Sequence, residues 1–345
     1  MLAGIVRHFG EVKAEVVPMP IIGDYDALVK IIACAFCNGT DSHIIEGTLP
    51  FVSPLPLILG HESVGRIIEV GAKVRNYKVG DIVFRPQVVY KNIPDAPNSC
   101  WGGFAEYGVI SDGKAVAEDK AGSALSGSWA MQQIIPEGID PIEATTLITV
   151  KETLSSLLIA GFSAGKSLLI FGSGPVGMSF AICGRMLGAS KVAIVGRRDE
   201  RLQQTLAFGV DETINSSKDD VVKKARELSK GRGFDLVVDA IGSYEAVNLA
   251  VKTVAHKGIV GQYGVPTVPR EQFQRFELDF RGTPGNWSLN FLNPDEPSTH
   301  DIVCGWVKHG LLSMKAFISE IMPLKEIDRA YEMVKKGNAI KVILT

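Results

Sequence analysis

Two short segments near the start of the chain carry side chains that bind metal ions well. Cys37–Asp41 has the sequence CNGTD, and Gly60–Glu62 has the sequence GHE. Thiolate, imidazole and carboxylate groups are ordinary zinc ligands, and a catalytic zinc ion uses three protein groups and leaves one position open. An alcohol bound there would lose its proton more easily, and a carbonyl would be polarised for hydride attack. An isolated His-Glu pair is more often structural or exposed, so this pair alone does not establish a metal site.

A glycine-rich turn further along the chain has the pattern that binds a dinucleotide. Gly172-Ser173-Gly174-Pro175-Val176-Gly177 follows the apolar run Ser167–Phe171 and opens a helix-like stretch. The first glycine permits a tight turn, the second lets the backbone approach a pyrophosphate, and the third allows close packing of helix on strand. The N-terminus of the helix then faces the anionic phosphates. Because the motif lies within an alternation of strands and helices, it predicts dinucleotide binding.

The end of the next strand selects between the two nicotinamide cofactors. An NAD-preferring site places Asp or Glu there, about 20 residues after the glycine turn, to bind the ribose 2′-hydroxyl. Here the strand ends in Gly196-Arg197-Arg198, and the nearest carboxylate, Asp199, lies further along. Glycine leaves room for a 2′-phosphate, and two guanidinium groups can donate charged hydrogen bonds to it. Cations at a helix start oppose the helix dipole, so the arginines have no obvious local stabilising role. The sequence therefore favours NADP over NAD.

The elements that must position these residues fall into two groups. Between about residues 165 and 265, short apolar runs alternate with helix-like stretches, which is typical of a parallel, doubly wound sheet. The first 150 residues contain short strand candidates separated by Gly, Pro and Asn, which indicates an irregular β-rich domain. After Pro284-Gly285 the alternation fails. We predict an α/β protein in which a doubly wound domain, residues 150–286, is inserted into a β-rich domain formed by residues 1–149 and 287–345.

Composition and charge argue against several other classes of protein. Lys and Arg number 36 against 38 Asp and Glu, and this net charge of −2 gives no electrostatic case for a nucleic-acid or membrane-surface partner. No unbroken apolar stretch approaches the roughly 18 residues of a membrane helix, and the N-terminus does not resemble a signal peptide. Five scattered cysteines argue against a disulfide framework. We expect a protein of the reducing cytoplasm.

Further motifs extend the pattern along the chain. After Gly60–Glu62 come Gly65, the stretch from Val70-Gly71 to Val79–Val83, and Gly102–Tyr107 with the sequence GGFAEY, all before the glycine turn. In this order and spacing, the motifs resemble those of the medium-chain, zinc-dependent alcohol and polyol dehydrogenases. Each motif is weak alone, but the combination is specific and covers essentially the whole chain. The resemblance implies a GroES-like β-rich catalytic domain with a Rossmann cofactor domain inserted between its two parts.

The resemblance also implies roles for individual residues. Cys37 and His61 match zinc ligands, and Glu62 matches the acidic position that ligates zinc directly or through water. Thr40 matches the hydroxyl residue that starts the proton relay from the substrate alcohol. Lys341, in the last strand, falls where a basic residue meets the cofactor pyrophosphate.

The cysteine segment departs from the family pattern. The commonest members read Cys-x-Ser/Thr-Asp, whereas here two residues separate Cys37 from Thr40. If Gly39–Asp41 is held in register, Asn38 occupies the ligand position, as Asn does in the zinc-free quinone reductases that resemble the family. Either the loop is one residue longer and Cys37 still ligates, or no zinc is bound. The presence of Gly60–Glu62 favours ligation by Cys37.

Two other metal positions also depart from the pattern. Polyol-dehydrogenase relatives place Glu or Asp just before the cofactor domain, where this chain has Leu147 or Ile148, and Glu152 is the nearest carboxylate. Glu152 is thus a ligand, an outer-sphere acid or a surface residue. The lobe that holds a structural zinc in many relatives corresponds to Arg85–Trp101, which contains the single cysteine Cys100. We therefore expect one catalytic zinc ion per subunit and no structural zinc.

These observations predict an NAD(P)-dependent alcohol dehydrogenase that transfers a hydride between NADP(H) and a secondary alcohol or polyol, or its carbonyl. Zinc would polarise the substrate oxygen, Thr40 would pass the proton, and His43 either joins this relay or is a loop residue. Two alternatives stay open: a zinc-free NADPH-dependent quinone or enone reductase of the same fold, and a non-catalytic nucleotide-binding relative. The expected partners are a small alcohol or carbonyl substrate and further copies of the chain in a homodimer or homotetramer.

Overall fold

Two structural units divide the chain. The computed structural model describes residues 1–49, 54–90, 93–120, 127–265, 278–337 and 339–345. Met1–Ile148 and His300–Thr345 form the first unit, and Thr149–Thr299 forms the second. The second unit is thus an insertion within the sequence of the first. Among the described residues, no helix combines the length and the apolar character that a membrane span requires.

Short strands dominate the N-terminal part of the first unit, because glycine and proline recur between the apolar runs. The strands are β1 (Leu2–Val6), β2 (Lys13–Val16), β3 (Asp26–Ala35), β4 (Leu57–Ile58), β5 (Glu62–Val70), β6 (Ile82–Phe84), β7 (Asn98–Ser99) and β8 (Tyr107–Ser111). The helices are α1 (Thr40–Ile45), α2 (Gly113–Asp119), α3 (Gly127–Met131) and α4 (Pro141–Ile159), which continues into the second unit.

Strands and helices alternate regularly in the second unit. The strands are β9 (Ser167–Phe171), β10 (Lys191–Gly196), β11 (Glu212–Asn215), β12 (Phe234–Asp239), β13 (Val254–Gln262) and β14 (Ser288–Phe291). The helices are α5 (Pro175–Met186), α6 (Asp199–Thr205), α7 (Val221–Leu228) and α8 (Tyr244–Thr253). Side-chain caps begin two of these helices: Asp220 accepts a hydrogen bond from the backbone N–H of Lys223, and Ser243 accepts one from that of Ala246.

The second unit is built on one parallel sheet with the strand order β11-β10-β9-β12-β13-β14. Its central strands are buried along almost their whole length, as in Leu168–Phe171 and Val192–Val195. A strand that is apolar at every position needs cover on both faces, which the helices of an α/β fold supply. This is the doubly wound Rossmann architecture that the sequence predicts.

The C-terminal part of the chain completes the first unit with α9 (His300–Lys308), β15 (Ile318–Met322), α10 (Ile327–Lys335) and β16 (Lys341–Leu344). The contacts of the described residues divide the chain later than the predicted return at residue 287. Residues 287–299 lie in the second unit, because β14 pairs in parallel with β13 and extends the Rossmann sheet by one strand. The chain returns to the first unit at His300.

Two sheets organise the first unit. One has the order β2-β1-β4-β7, and the other has the order β15-β16-β3-β5-β6, with β8 also paired to β3. In the second of these sheets β3 lies between β5 and β16 and is antiparallel to both. Ala35, at the end of β3, stands opposite Glu62 on one side and Ile343 on the other. The residues just after β3 therefore lie beside the start of β5 and the start of β16.

Candidate metal centre and dinucleotide site

The register of β3, β5 and β16 brings four predicted site residues together in the first unit. Cys37 follows the end of β3, Glu62 begins β5 with His61 just before it, and Lys341 begins β16. A backbone hydrogen bond of 2.8 Å from Phe36 N–H to the carbonyl of Val342 keeps the end of β3 against β16. Three separate segments of chain thus converge through sheet pairing alone.

The ligand atoms of Cys37, His61 and Glu62 lie within 4.8 Å of one another. His61 and Glu62 are buried, and Cys37 is half-buried. Among the residues that the structure describes, this is the single group of three or more His, Cys, Asp or Glu side chains with such a geometry. One sulfur, one imidazole and one carboxylate make a donor set that suits zinc, so these residues fit the predicted metal.

Charge around His61 is consistent with a metal-ligand environment. Burial lowers the pKa of His61, but the charges of Cys37 and Asp41 outweigh burial and hold the pKa well above its ordinary value. In the described part of the chain, buried His61 Nδ1 has no hydrogen-bond partner and lies 3.6 Å from Asp41 Oδ1. Since a ligating imidazole must be neutral, a metal ion would compete with a proton for this ring.

Asp41 contacts two residues of the candidate centre without belonging to the predicted ligand set, a role that sequence reasoning missed. Its side chain is fully buried, and Oδ2 accepts a hydrogen bond of 2.9 Å from the backbone N–H of Cys37. Its other oxygen faces His61. One carboxylate therefore contacts the residues on both sides of the centre, as outer-shell groups of metal sites do. The available signal was an acidic residue four positions after Cys37 in the same segment.

Lys341 contacts the candidate centre directly. Its ammonium nitrogen lies 2.5 Å from both carboxylate oxygens of Glu62, and both side chains are buried. Burial lowers the pKa of Lys341, but Glu62 and then Cys37 raise it to a net value above the ordinary one. The ammonium group is therefore charged and neutralises Glu62. The predicted contact between Lys341 and the cofactor pyrophosphate stays a prediction.

The two predicted relay residues lie on the short helix after Cys37. Thr40 begins α1 and is partly buried. His43 lies one turn later, and its Nδ1 is 2.9 Å from the hydroxyl oxygen of Thr48. Burial lowers the pKa of His43. Their roles in proton transfer stay predictions.

Glu152 lies in the part of α4 that belongs to the second unit. Its Oε2 accepts a hydrogen bond of 2.9 Å from the hydroxyl of Tyr263. Tyr263 in turn packs edge-on against Phe180, with the ring centroids 5.2 Å apart. The structure thus gives Glu152 a defined partner within its own unit, and its role as a zinc ligand stays a prediction.

An aromatic side chain and a buried arginine flank His61, and sequence reasoning assigned no role to either. The Trp101 ring centroid lies 4.8 Å from that of His61 at an interplanar angle of 53°. Trp101 is more than one third exposed and has a φ of +67°. Buried Arg85, with a φ of +54°, donates a hydrogen bond of 2.8 Å to the His61 carbonyl. Left-handed backbone at non-glycine residues carries a cost, and such strain clusters at functional sites.

The glycine turn of the second unit lies between β9 and α5. Gly172 has a φ of +118°, Gly174 precedes the helix, and Pro175 and Val176 are its first two residues. A Cβ on Gly177 would lie 1.8 Å from the Gly172 carbonyl oxygen, so a side chain cannot be accommodated there. The first and third glycines therefore meet the steric requirements that the motif predicts.

A cavity of about 560 Å³ adjoins this turn. Gly196, Arg197 and Arg198 at the end of β10 contribute to its lining. A Cβ on Gly196 would approach the hydroxyl oxygen of Ser173 to 2.5 Å, so glycine keeps the turn and the strand end close together. The other lining residues are Phe171–Ser173, Val195, Ser216, Ile241, Ser243, Glu245, Ala246 and Leu249. The cavity has room for part of a dinucleotide and places two guanidinium-bearing residues beside it.

Two family models match the chain. The model described as "Alcohol dehydrogenase GroES-like domain" matches residues 23–120, in the first unit. The model described as "Zinc-binding dehydrogenase" matches residues 175–283, in the second. The first matched segment contains Cys37, His61 and Glu62, and the second begins at Pro175, within the glycine turn.

Named relatives align with the chain over almost its whole length. It is 27% identical to L-threonine 3-dehydrogenase of Bacillus licheniformis, with 99% of this chain and 98% of the relative covered. It is 26% identical to sorbitol dehydrogenase of Halalkalibacterium halodurans, with 97% and 96% covered. Among solved structures, alcohol dehydrogenase TADH from Thermus sp. ATN1 superposes with a TM-score of 0.80 at 24% identity, with 100% and 99% covered. The similarity therefore extends over both units.

Proposed function

Since this chain belongs to the zinc-dependent medium-chain dehydrogenases and is an oxidoreductase that acts on alcohols, we propose that it moves a hydride between NADP(H) and a secondary alcohol or polyol, or the corresponding carbonyl. The observation that carries the proposal is the convergence of Cys37, His61 and Glu62 within 4.8 Å. These three residues would hold one zinc ion, with Glu62 binding it directly or through water.

The protein's own residues divide the work at this centre. Zinc, when bound, would supply a Lewis acid that polarises the substrate oxygen. Asp41 fixes the backbone of Cys37 and faces His61, which orients both ligands. Lys341 neutralises Glu62, and a carboxylate shared with an ammonium group is a weaker metal ligand. This arrangement favours Cys37 and His61 as the permanent ligands.

Oxidation of the alcohol removes a hydride and a proton. NADP⁺, when bound, would accept the hydride from the carbinol carbon, and the hydroxyl oxygen would lose the proton. We assign acceptance of that proton to the Thr40 hydroxyl, which releases its own proton towards solvent. His43 is a candidate for the next step, since the lowered pKa of His43 keeps its ring neutral and able to accept a proton at neutral pH. Carbonyl reduction runs through the same steps in reverse.

The preference for NADP rests on the end of β10. Gly196 leaves the space that a larger residue would fill, and Arg197 and Arg198 line the same cavity. Guanidinium groups bind phosphate oxygens through paired, charged hydrogen bonds. A cofactor with a 2′-phosphate would gain these interactions, and NAD would not.

The test compares the wild-type enzyme with Cys37→Ser and with Asn38→Ala as the matched control. Zinc content and NADP⁺-dependent oxidation of a panel of secondary alcohols and polyols are measured together. Wild type and Asn38→Ala are expected to bind zinc and to turn over. Cys37→Ser is expected to lose zinc and at least about a hundredfold in kcat/KM, because a metal ion contributes several kcal/mol to such a reaction.

Two outcomes would overturn the proposal. Undiminished NADPH-dependent reduction of quinones or enones by Cys37→Ser would establish a zinc-free reductase. Tight NADPH binding by the wild-type protein, with no turnover on any alcohol or carbonyl of the panel, would establish a non-catalytic nucleotide-binding protein.

A further inference from the structure

The loop that follows β11 packs against the turn at the end of β10. Gly196 pairs with Asn215 in the parallel register of the two strands. Ser216 donates two hydrogen bonds to the Gly196 carbonyl, from its backbone N–H at 2.8 Å and from its hydroxyl at 3.2 Å. The Ser217 hydroxyl donates to the Arg197 carbonyl at 3.2 Å. The loop thus fixes the backbone that carries the arginines of the candidate cofactor cavity.

The same loop engages both oxygens of Asp199. Asn215 Nδ2 donates to Oδ1 at 2.5 Å, and the Lys218 ammonium group forms an ion pair with Oδ2. Asn215 is buried and held by two hydrogen bonds. Its side-chain Oδ1 accepts one of 2.9 Å from the backbone N–H of Ser217, and its backbone N–H donates one of 3.0 Å to the Asp219 carboxylate. The carboxylate of Asp199 is therefore held on the β11 side by a buried amide and an exposed cation.

Asp199 is the acidic residue directly after the arginines. Burial lowers the pKa of Arg201, and the positive charge of the neighbouring Arg198 lowers it further. An uncompensated carboxylate here would weaken the attraction of the turn for a doubly charged 2′-phosphate. It would also offer an acceptor for the ribose 2′-hydroxyl of NAD, which is how NAD-preferring sites select their cofactor.

On the basis of the proposed preference for NADP, we propose that Asn215 and Lys218 are specificity-determining positioning residues. They occupy both oxygens of Asp199 and cancel its charge, so that Arg197 and Arg198 present an undiminished positive field to the 2′-phosphate. The recognised chemical group is thus a phosphate monoester on the cofactor ribose. Lys218 acts through Asp199 and not by contact with the phosphate.

A structural role alone would have a different signature. The side chains of Lys218 and Asp199 are 64% and 61% exposed, and exposed ion pairs contribute little to stability. Loss of the pair should therefore leave folding intact and change the choice of cofactor. Its effect should also fall with added salt, because the Debye length is about 8 Å at physiological ionic strength.

The first experiment measures kcat/KM for NADP⁺ and for NAD⁺ with one alcohol substrate. Lys218→Met is compared with wild type and with Lys224→Met, which removes the same charge from an exposed position of α7. The ratio of kcat/KM for NADP⁺ to that for NAD⁺ is expected to fall about five- to tenfold in Lys218→Met at low salt. It is expected to stay at the wild-type value in Lys224→Met.

A second variant distinguishes an effect of Lys218 through the charge of Asp199 from direct contact of Lys218 with the 2′-phosphate. Lys218→Met/Asp199→Asn has no carboxylate to mask, so its cofactor ratio is expected to return to the wild-type value. An unchanged ratio in Lys218→Met, or a lowered ratio that Asp199→Asn does not restore, would overturn the inference. Neither result touches the proposed function, which fails separately if the wild-type enzyme prefers NAD⁺.

Discussion

Asp41 contacts two of the three candidate metal ligands, although the sequence motifs assign it no role. Its side chain is fully buried, bonded to the Cys37 backbone at 2.9 Å and 3.6 Å from His61 Nδ1. A buried carboxylate in this position would orient the two candidate ligands Cys37 and His61 and keep the imidazole ring of His61 basic. The centre therefore depends on a residue that need not touch the metal.

Asp41→Asn tests this role. The amide keeps the size of the side chain but removes its charge, so zinc affinity is expected to fall about 10- to 100-fold. Competition with a chromophoric chelator measures the affinity. Asp24→Asn, at an exposed position that pairs with Lys73, is the matched control and should bind zinc like wild type. Wild-type affinity in Asp41→Asn would show that the carboxylate does not support the centre.

Residues whose roles depend on local geometry were predictable from sequence. Gly172 and Gly177 have the backbone and steric constraints that the motif implies, because a turn of six residues sets them. The contact between Lys341 and Glu62 was not predictable, since the two residues are 279 positions apart and meet through the register of three strands. Sequence spacing gives no access to such a register.

At the scale of the elements, β12 ends in a buried carboxylate that bonds to the backbone of Ile241, a residue that lines the candidate cofactor cavity. Asp239 is fully buried, and its carboxylate accepts hydrogen bonds from the backbone N–H groups of Ile241 at 2.9 Å and Gly242 at 3.2 Å. Burial raises the pKa of Asp239 to about 6, and the hydrogen bonds offset only part of this effect. The strand end is thus most stable with a protonated side chain.

This raised pKa predicts a pH dependence of stability. Because folded Asp239 binds its proton more tightly than the unfolded chain, its contribution is fully present below pH 3.8 and is lost as pH rises through about 6. Asp239→Asn cannot titrate, so its stability relative to wild type should rise between pH 4 and pH 7, by up to about 3 kcal/mol. Urea unfolding at several pH values measures the difference, and a constant difference would contradict the assignment.

The edge strand β14 shows where element prediction from sequence fails. Its four residues are mostly exposed, and Phe291 at its end is 63% exposed. A segment with so little apolar burial has a weak strand pattern, and it becomes a strand through pairing with β13. Buried strands such as β9 and β10 were predictable because their own residues carry the signal.

At the scale of the whole molecule, two units with different architectures carry two different candidate sites. The first unit brings together the candidate metal ligands, and the second carries the glycine turn and the arginine-lined cavity. Relatives that align over nearly their full length include a threonine dehydrogenase and a sorbitol dehydrogenase, which act on different alcohols. Fold and reaction class are therefore shared, whereas the substrate is set by side chains that differ. The homodimer or homotetramer and the cytoplasmic location stay predictions.

The central claim is that one zinc ion is held by a single cysteine sulfur together with nitrogen and oxygen donors. X-ray absorption at the zinc edge of the zinc-loaded full-length protein tests it most directly. In the wild-type protein we predict one sulfur at about 2.3 Å with nitrogen and oxygen neighbours at about 2.0–2.2 Å. A first shell without sulfur, or with more than one sulfur, would contradict the account.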